Sequence, residues 1–233
     1  MSTIYLVPSV LSENATDSIP SYIISAVKEC TVIFAENERT TRRFLKIMDR
    51  SIVIDNFEWF TIHKAEKEQL DNFRLKIKEG KNIAIISEAG CPGIADPGQV
   101  LVSLAHETGC KVRPLVGPSS VVLALMASGF NGQQFEFLGY LPIEIPEREN
   151  RLKVIEAHSA KNNSTKIFIE TPYRNNQLLE SILKVCNPNT KLCIATDLTA
   201  ADEMIRSCSV SDWKKIKPDL HKKPAIFLIY SGN

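Results

Sequence analysis

The sequence predicts an α/β protein of two domains, with a mainly parallel sheet in residues 1–139 and a mixed sheet in residues 140–233. Three observations carry this. Short unbroken apolar runs, Ile4 to Val7, Val32 to Ala35 and Ile83 to Ile86, are the mark of strands buried on both faces, as parallel strands are. Helix-patterned segments follow these runs one by one. Beyond Tyr140 strands and helices stop alternating, which a purely parallel sheet does not allow.

Taken in order, Ile4 to Val7 is a strand ended by Pro8, and Ser9 to Pro20 is a polar loop over the sheet edge. Tyr22 to Cys30 has helical spacing and Val32 to Ala35 is the second strand, running into Glu36-Asn37-Glu38-Arg39. Arg39, Arg42, Arg43, Lys46 and Arg50 then fall on one side of a helix, with Phe44, Leu45, Ile47 and Met48 opposite for burial. Such a stripe seats a nucleic-acid backbone, or is a solvated helix face. Ile52 to Ile54 reads as a strand, and Ala65 to Glu79 as an amphipathic helix stopped by Gly80.

The strand Ile83 to Ile86 empties into Ser87-Glu88-Ala89-Gly90-Cys91-Pro92-Gly93-Ile94-Ala95-Asp96-Pro97-Gly98. Glycine lets backbone approach a ligand and proline fixes the angle of approach. Ligands of open α/β sheets sit at this edge. A helix through Val100 to Ala105 follows, then a strand Val112 to Val116 whose Pro114 suits a sheet edge. Gly117-Pro118-Ser119-Ser120 opens the next helix; either serine can cap it, and free N–H groups at a helix start also bind anions.

Phe135 to Leu138 is a strand, and Gly139 to Arg148, rich in proline and charge, is a connection that puts the domain boundary near Tyr140. A helix through Leu152 and Ile155, a strand Lys166 to Ile169, the segment Glu170-Thr171-Pro172-Tyr173-Arg174 and a helix Asn176 to Val185 come next. Strands at Leu192 to Ala195, Met204 to Ser209 and Ile226 to Tyr230 complete the second domain.

The net charge of +1 excludes a protein that holds nucleic acid by its global field, so a phosphate-rich partner needs a local patch. Six cysteines without a C-x-x-C pair, and four scattered histidines, form no metal-ligand pattern and read as reduced thiols. No apolar run reaches the roughly 20 residues of a membrane span, and the start lacks a signal-peptide pattern. A soluble cytoplasmic protein without a membrane partner is expected. Ser120, His106 and Asp96 lack the spacing of a serine hydrolase elbow.

Six motifs in one order run nearly end to end: Ile4-Tyr5-Leu6-Val7-Pro8; Ala35-Glu36-x-x-Arg39; Ser87-x-Ala89-Gly90-x-Pro92 with Asp96-Pro97-Gly98; Gly117-Pro118-Ser119; Gly139-x-Leu141-Pro142; and Glu170-x-Pro172-x-Arg174. In this the chain resembles the tetrapyrrole methylase superfamily, and within it the bacterial group of small-subunit ribosomal RNA 2′-O-ribose methyltransferases I. The resemblance implies two α/β domains, S-adenosyl-L-methionine (SAM) folded in the cleft between them, and a homodimer acting on RNA of the small ribosomal subunit. It implies cofactor contacts at Gly90, Cys91, Pro92, Ile94, Ser119, Ser120 and Leu141.

The departures are specific. The family's P-T-P-I-G-N loop is Pro8-Ser9-Val10-Leu11-Ser12-Glu13-Asn14, and Glu88 and Cys91 interrupt S-D-A-G-T-P. R-E-L-T-K becomes Thr196-Asp197-Leu198-Thr199-Ala200, and K-G-E becomes Lys222-Lys223-Pro224. Most losses fall on the side implied for substrate.

A ribose hydroxyl attacks a methyl group only as its proton is drawn away, so a carboxylate nearby helps. Glu36 and Glu170 are the candidate bases, with Arg39 and Arg174 as partners of substrate phosphate or carboxylate; each is equally able to form a structural ion pair. Two other readings stay open. One is a methyltransferase of the same fold acting on a small, tetrapyrrole-like molecule, and the other is a module that binds SAM or RNA without catalysis.

Overall fold

The computed structural model describes residues 2–62, 66–216 and 218–232. The chain divides into two compact units, Met1–Ser119 and Ser120–Asn233.

The first unit is built on five strands: β1 (Thr3–Val7), β2 (Val32–Ala35), β3 (Glu58–Thr61), β4 (Ile83–Ile86) and β5 (Lys111–Pro114). They lie in the order β3-β2-β4-β1-β5, every pair parallel. Helices α1 (Tyr22–Lys28) and α2 (Glu38–Met48) cover one face, where Ile23, Val27, Phe44 and Leu45 pack on Tyr5, Val7, Ile33 and Ile86. Helices α3 (Leu70–Lys78) and α4 (Gln99–Glu107) cover the other, with Phe73, Leu101 and Leu104 on Ile4, Phe34 and Ile85. Alternate residues of the same strand thus serve different cores, and all four residues of β2 and of β4 are buried. Each such aliphatic or aromatic side chain contributes about 1.5–3 kcal/mol by leaving water. Pro114 ends an edge strand, where its missing N–H costs no ladder bond.

Two expectations in this unit are corrected. Ile52 to Ile54 is not a strand: Ile52 is buried in the core, Val53 is exposed, and a 3-10 turn, Ile54–Asn56, follows. The strand is the next segment, β3, a half-exposed edge whose adjacent aromatics Trp59 and Phe60 stand between Glu58 and Thr61 instead of forming an apolar run. The helix expected from Ala65 begins as a 3-10 turn at Glu66–Gln69 and becomes α-helical at Leu70; Ala65 itself lies outside the described residues.

The second unit contains α5 (Ser120–Ser128), β6 (Phe135–Tyr140), α6 (Ile145–Asn162), β7 (Thr165–Ile169), α7 (Asn175–Val185), β8 (Lys191–Thr196), β9 (Met204–Ser209), α8 (Val210–Ile216) and β10 (Ala225–Tyr230). The sheet order is β6-β7-β10-β8-β9; β6 and β7 are parallel, the other pairs antiparallel. Its core joins Leu152 and Ile155 of α6, Leu178 and Ile182 of α7 and Trp213 of α8 to Phe168, Ile194 and Phe227 of the sheet. The compact units part earlier than the connection near Tyr140, because α5 packs on β8, β9 and β10 and β6 pairs with β7. Part of that connection is the first turn of α6, whose second residue is Pro146, a residue suited to a helix start. Helix α8 was not expected, its seven residues being too short for a visible period.

Candidate cofactor and substrate site

In the first unit, β1 is followed by α1 on one face of the sheet and β4, its neighbour, by α4 on the other. Adjacent strands whose connections leave to opposite faces open a crevice at their carboxyl ends, the place where such sheets bind ligands. Four loops meet there. Ser9 after β1 exchanges two main-chain hydrogen bonds with Gly90 after β4, its N–H donating to Gly90 O at 2.9 Å and its O accepting from Gly90 N at 3.2 Å. The Ser9 hydroxyl donates to Ser87 O at 2.8 Å. After β2, Glu36 Oε2 accepts from the N–H of Glu88 at 2.8 Å, and Asn37 Nδ2 donates to Glu88 Oε1 at 3.1 Å. After β5, Gly117 lies so close to Pro8 that a Cβ there would stand 2.2 Å from Pro8 Cβ. Gly90 has φ +75°, and a Cβ on it would meet Leu11 Cδ2 at 3.3 Å and Pro118 O at 3.5 Å. Both glycines are needed for the loops to approach one another.

This edge is acidic. Burial first, then the charges of Glu36 and Glu88, push the Asp96 carboxyl up to about 7. Burial, and secondarily the charge of Asp96, also raises the Cys91 thiol, whose Sγ sits 3.4 Å from Pro118 O and 3.8 Å from Gly117 O. Pro92 is buried and Ile94 exposed. Ser119 and Ser120 are half-buried, Ser120 being the first residue of α5.

The cations of α2 do not form one free stripe. Arg42 pairs with Glu38 at 2.7 Å and lies over the Trp59 ring at 4.8 Å, and Arg43 forks onto Glu13 at 3.0 and 3.3 Å. Lys46 Nζ donates to Arg50 O at 3.1 Å, and Arg50 lies beyond the helix end at Met48. Ile47, expected on the buried side, is 50% exposed. Arg39 is exposed, and its side chain makes no hydrogen bond or ion pair among the described residues; Glu36 and Arg39 do not pair.

In the second unit, the carboxyl ends of β7 and β8 flank the amino end of β10, which brings together Glu170–Arg174, Asp197–Glu203 and Lys222–Pro224. Glu170 is buried and accepts from Arg174 at 2.7 Å and from Thr171 N at 2.6 Å. Asn175 Nδ2 donates to Lys223 O at 2.6 Å, Lys222 N to Pro172 O at 3.0 Å, and Lys223 pairs with Asp197 at 3.3 Å. Asp197, Thr199 and Lys222 adopt left-handed backbone at φ +51°, +70° and +61°, a conformation unusual outside glycine and costly in strain. Glu170 Oε2, Arg174 Nε, Asn175 Oδ1, Thr196 Oγ1 and Thr199 Oγ1 are buried with no hydrogen-bond partner among the described residues. Nearby residues Tyr140, Pro142, Ile143, Thr171 and Arg174, with Leu141, line an open cleft of about 560 Å³. The Leu141 side chain is buried in the core, so mainly its backbone faces that cleft.

The structure therefore gathers Gly90, Cys91, Pro92 and Glu36 on one edge and pairs Glu170 with Arg174. Sequence reasoning did not single out Ser9, Glu88 or Asp96 as site residues, nor Thr196, Asp197, Thr199 and Lys223. The signal available for the last group was that Asp197 and Lys223, which form an ion pair, both fall in stretches where the sequence departs from the motifs R-E-L-T-K and K-G-E of the family it resembles. No group of three or more potential metal ligands occurs among the described residues.

The sequence model of the Tetrapyrrole (Corrin/Porphyrin) Methylases matches residues 15–213. The chain belongs to this family of SAM-dependent methyltransferases. It is similar to proteins named ribosomal RNA small subunit methyltransferase I: 31% identical to that of Escherichia coli O157:H7 over 99% of this chain and 78% of the relative. To that of Bacillus subtilis (strain 168) it is 29% identical, over 88% of this chain and 67% of the relative. Among solved structures, diphthine synthase matches with a TM-score of 0.70 at 13% identity, covering 99% of this chain and 90% of that one. The methyltransferase CobJ matches with a TM-score of 0.64 at 17% identity, covering 98% and 93%. These structural likenesses establish the fold.

Proposed function

We propose that this protein transfers a methyl group from SAM to a ribose 2′-hydroxyl of small-subunit ribosomal RNA, in the cytoplasm and as a homodimer. The observation that carries the reading is the end-to-end similarity, 31% over 99% of the chain, to relatives named for methylation of that RNA. No helix among the described residues is long and apolar enough to cross a membrane.

The residues present fit the cofactor. The Gly117 backbone leaves no room for a Cβ, Gly90 adopts φ +75° with Leu11 close by, and both carry their loops to the strand ends. The carboxylates of Glu36, Glu88 and Asp96 suit a cationic ligand, and the unpartnered polar atoms around Thr196 and Thr199 suit a ligand rich in hydroxyl and amino groups. Gly90, Cys91, Pro92 and Ile94 are the proposed floor, with Ser119, Ser120 and Leu141 as further contacts. When bound, SAM supplies an electrophilic methyl group. The chain's own task is to align the nucleophile and accept its proton. Glu36 spends one oxygen on the Glu88 N–H, which fixes the carboxylate, and its other oxygen accepts no hydrogen bond among the described residues. Glu36 is the proposed base and Arg39, without a partner, the proposed phosphate contact. Glu170 and Arg174 act as a pair that shapes the second unit's loops.

The test is methyl transfer from labelled SAM to unmodified small ribosomal subunits, with the label located by nuclease digestion and mass spectrometry. Label on a ribose 2′-oxygen is the expected result; unlabelled RNA and subunits would overturn it. The paired state of the α2 cations favours a second reading, methylation of a small tetrapyrrole-like molecule. SAM binding without turnover on either substrate class would instead mark a binding module.

A further inference from the structure

We propose that a groove in the first unit, between α2 and the loop after β1, holds the base of the nucleotide whose ribose is methylated. This rests on the RNA reading above and adds a subsite to it. The groove encloses about 240 Å³ and is walled by Leu11, Phe44 and Ile47, with Thr40, Arg43 and Glu88 at its polar border. Its size suits one planar ring and its immediate substituents rather than a helix or a peptide.

The lining matches a heterocycle better than an aliphatic ligand. Leu11, Phe44 and Ile47 give apolar surface to the faces of a ring. Thr40 Oγ1 already donates to Asn37 O at 3.1 Å and so offers only lone pairs, and Glu88 is a carboxylate. Both can accept from the polar edge of a base, Glu88 through the oxygen that Asn37 leaves free. Arg39, one helical turn before Arg43 on α2, carries an unpaired cation for a flanking phosphate. The Arg43–Glu13 pair is exposed on both sides, 65% and 73%, so Arg43 can exchange its partner for a phosphate at little cost.

Position completes the case. Leu11 forms one wall of the groove and also limits the space above Gly90, where a Cβ would meet it at 3.3 Å. The groove therefore begins where the glycine loop ends. A base seated here puts its ribose beside the loop proposed to carry the cofactor. A base inside a duplex cannot enter, so the target nucleotide is unpaired or flipped out.

Ile47→Trp fills the groove from a half-exposed position, and Leu75→Trp, 49% exposed on α3, adds the same ring elsewhere. Calorimetry measures SAM affinity, methyl transfer to small ribosomal subunits measures kcat/KM, and ultraviolet cross-linking of RNA to the unsubstituted protein, mapped by mass spectrometry, locates the base. For Ile47→Trp, kcat/KM should fall about 100-fold with SAM affinity within about twofold. Leu75→Trp should stay at the level of the unsubstituted protein, and cross-links should fall on peptides containing Leu11 or Phe44. Ile47→Trp turning over like Leu75→Trp overturns the proposal, as do cross-links confined to other peptides, whatever the variant's stability. If free nucleoside monophosphates occupy the groove while Ile47→Trp still methylates subunits, it is a nucleotide site unconnected with the RNA, and the proposal fails. An unsubstituted protein that methylates no RNA defeats the RNA reading itself and this subsite with it, an outcome distinct from the others.

Discussion

The carboxyl edge of the first sheet and the loop cluster of the second are stabilised by different balances of main chain and side chain. At the first, Ser9 and Gly90 exchange main-chain hydrogen bonds, Gly90 and Gly117 stand where the loops after β4 and β5 approach the loop after β1, and Glu36 and Asn37 add side-chain bonds to Glu88. At the second, two main-chain bonds, Lys222 N to Pro172 O and Asp197 N to Pro224 O, are joined by the side-chain ties Glu170–Arg174, Asp197–Lys223 and Asn175 on Lys223 O, with Asp197, Thr199 and Lys222 at positive φ. A main-chain scaffold tolerates side-chain change but not a new Cβ. A side-chain scaffold tolerates change only when partners change together. The loop after β4 has its glycines beside Glu88 and Cys91, the loop after β1 lacks the glycine of P-T-P-I-G-N, and the second cluster departs from R-E-L-T-K and K-G-E at several positions.

The largest effect that can break this contrast is Gly90→Val. A β-branched residue at φ +75°, with Leu11 at 3.3 Å, forces the loop away from Ser9. SAM affinity, measured by calorimetry, should drop more than about 100-fold, a loss on the scale of strained backbone. Unchanged affinity would place the cofactor away from this edge. Second comes Glu170→Ala, which leaves a partly buried arginine without its carboxylate. Denaturant unfolding should show a loss of about 2–3 kcal/mol, below the value for a fully buried pair because Arg174 is 30% exposed. A loss under about 0.5 kcal/mol would mean that the loops are held by backbone, as in the first unit.

The third effect depends on pH. Asp96 holds its proton up to about 7 in the folded protein, whereas in the unfolded chain a carboxyl loses it near pH 4. Between these values the folded state binds more protons, so stability falls as pH rises from about 4 to about 7 and levels off above. Asp96→Asn removes this dependence: the variant should match the unsubstituted protein near pH 4 and melt at a higher temperature at pH 8. An equal melting difference at both pH values would show that the carboxyl titrates normally.

What could be read from the sequence divides along the same line. The buried strands of the first sheet were legible because burial on both faces writes continuous apolar runs, and the Gly90 loop because glycine and proline restrict backbone by themselves. Strand β3 was not, since an edge strand with Glu58 and Trp59 lacks an apolar run and the nearby Ile52 to Ile54 supplies one. The stripe on α2 was legible as spacing, and the i,i+4 offset of Glu38 and Arg42 also marks their pairing, but spacing does not show that Glu13, from the loop after β1, neutralises Arg43. The cluster around Asp197 was least legible, because antiparallel pairing of β10 with β7 and β8 brings together segments far apart in sequence.

The smallest expected effect sharpens the comparison most. Cys91 lies on the edge carrying the Gly90 loop, and the hydrogen bonds of its side chain among the described residues go to carbonyl oxygens, Pro118 O at 3.4 Å and Gly117 O at 3.8 Å. A hydroxyl can donate to the same carbonyls, and more strongly than a thiol. Cys91→Thr, which restores the family's usual residue, should therefore change SAM affinity by less than about threefold and either hold or tighten it. If main chain sets this edge, the side chain at 91 is exchangeable. A loss of more than about tenfold, at unchanged melting temperature, would mean that the sulfur itself contacts the cofactor and that this edge too depends on a particular side chain.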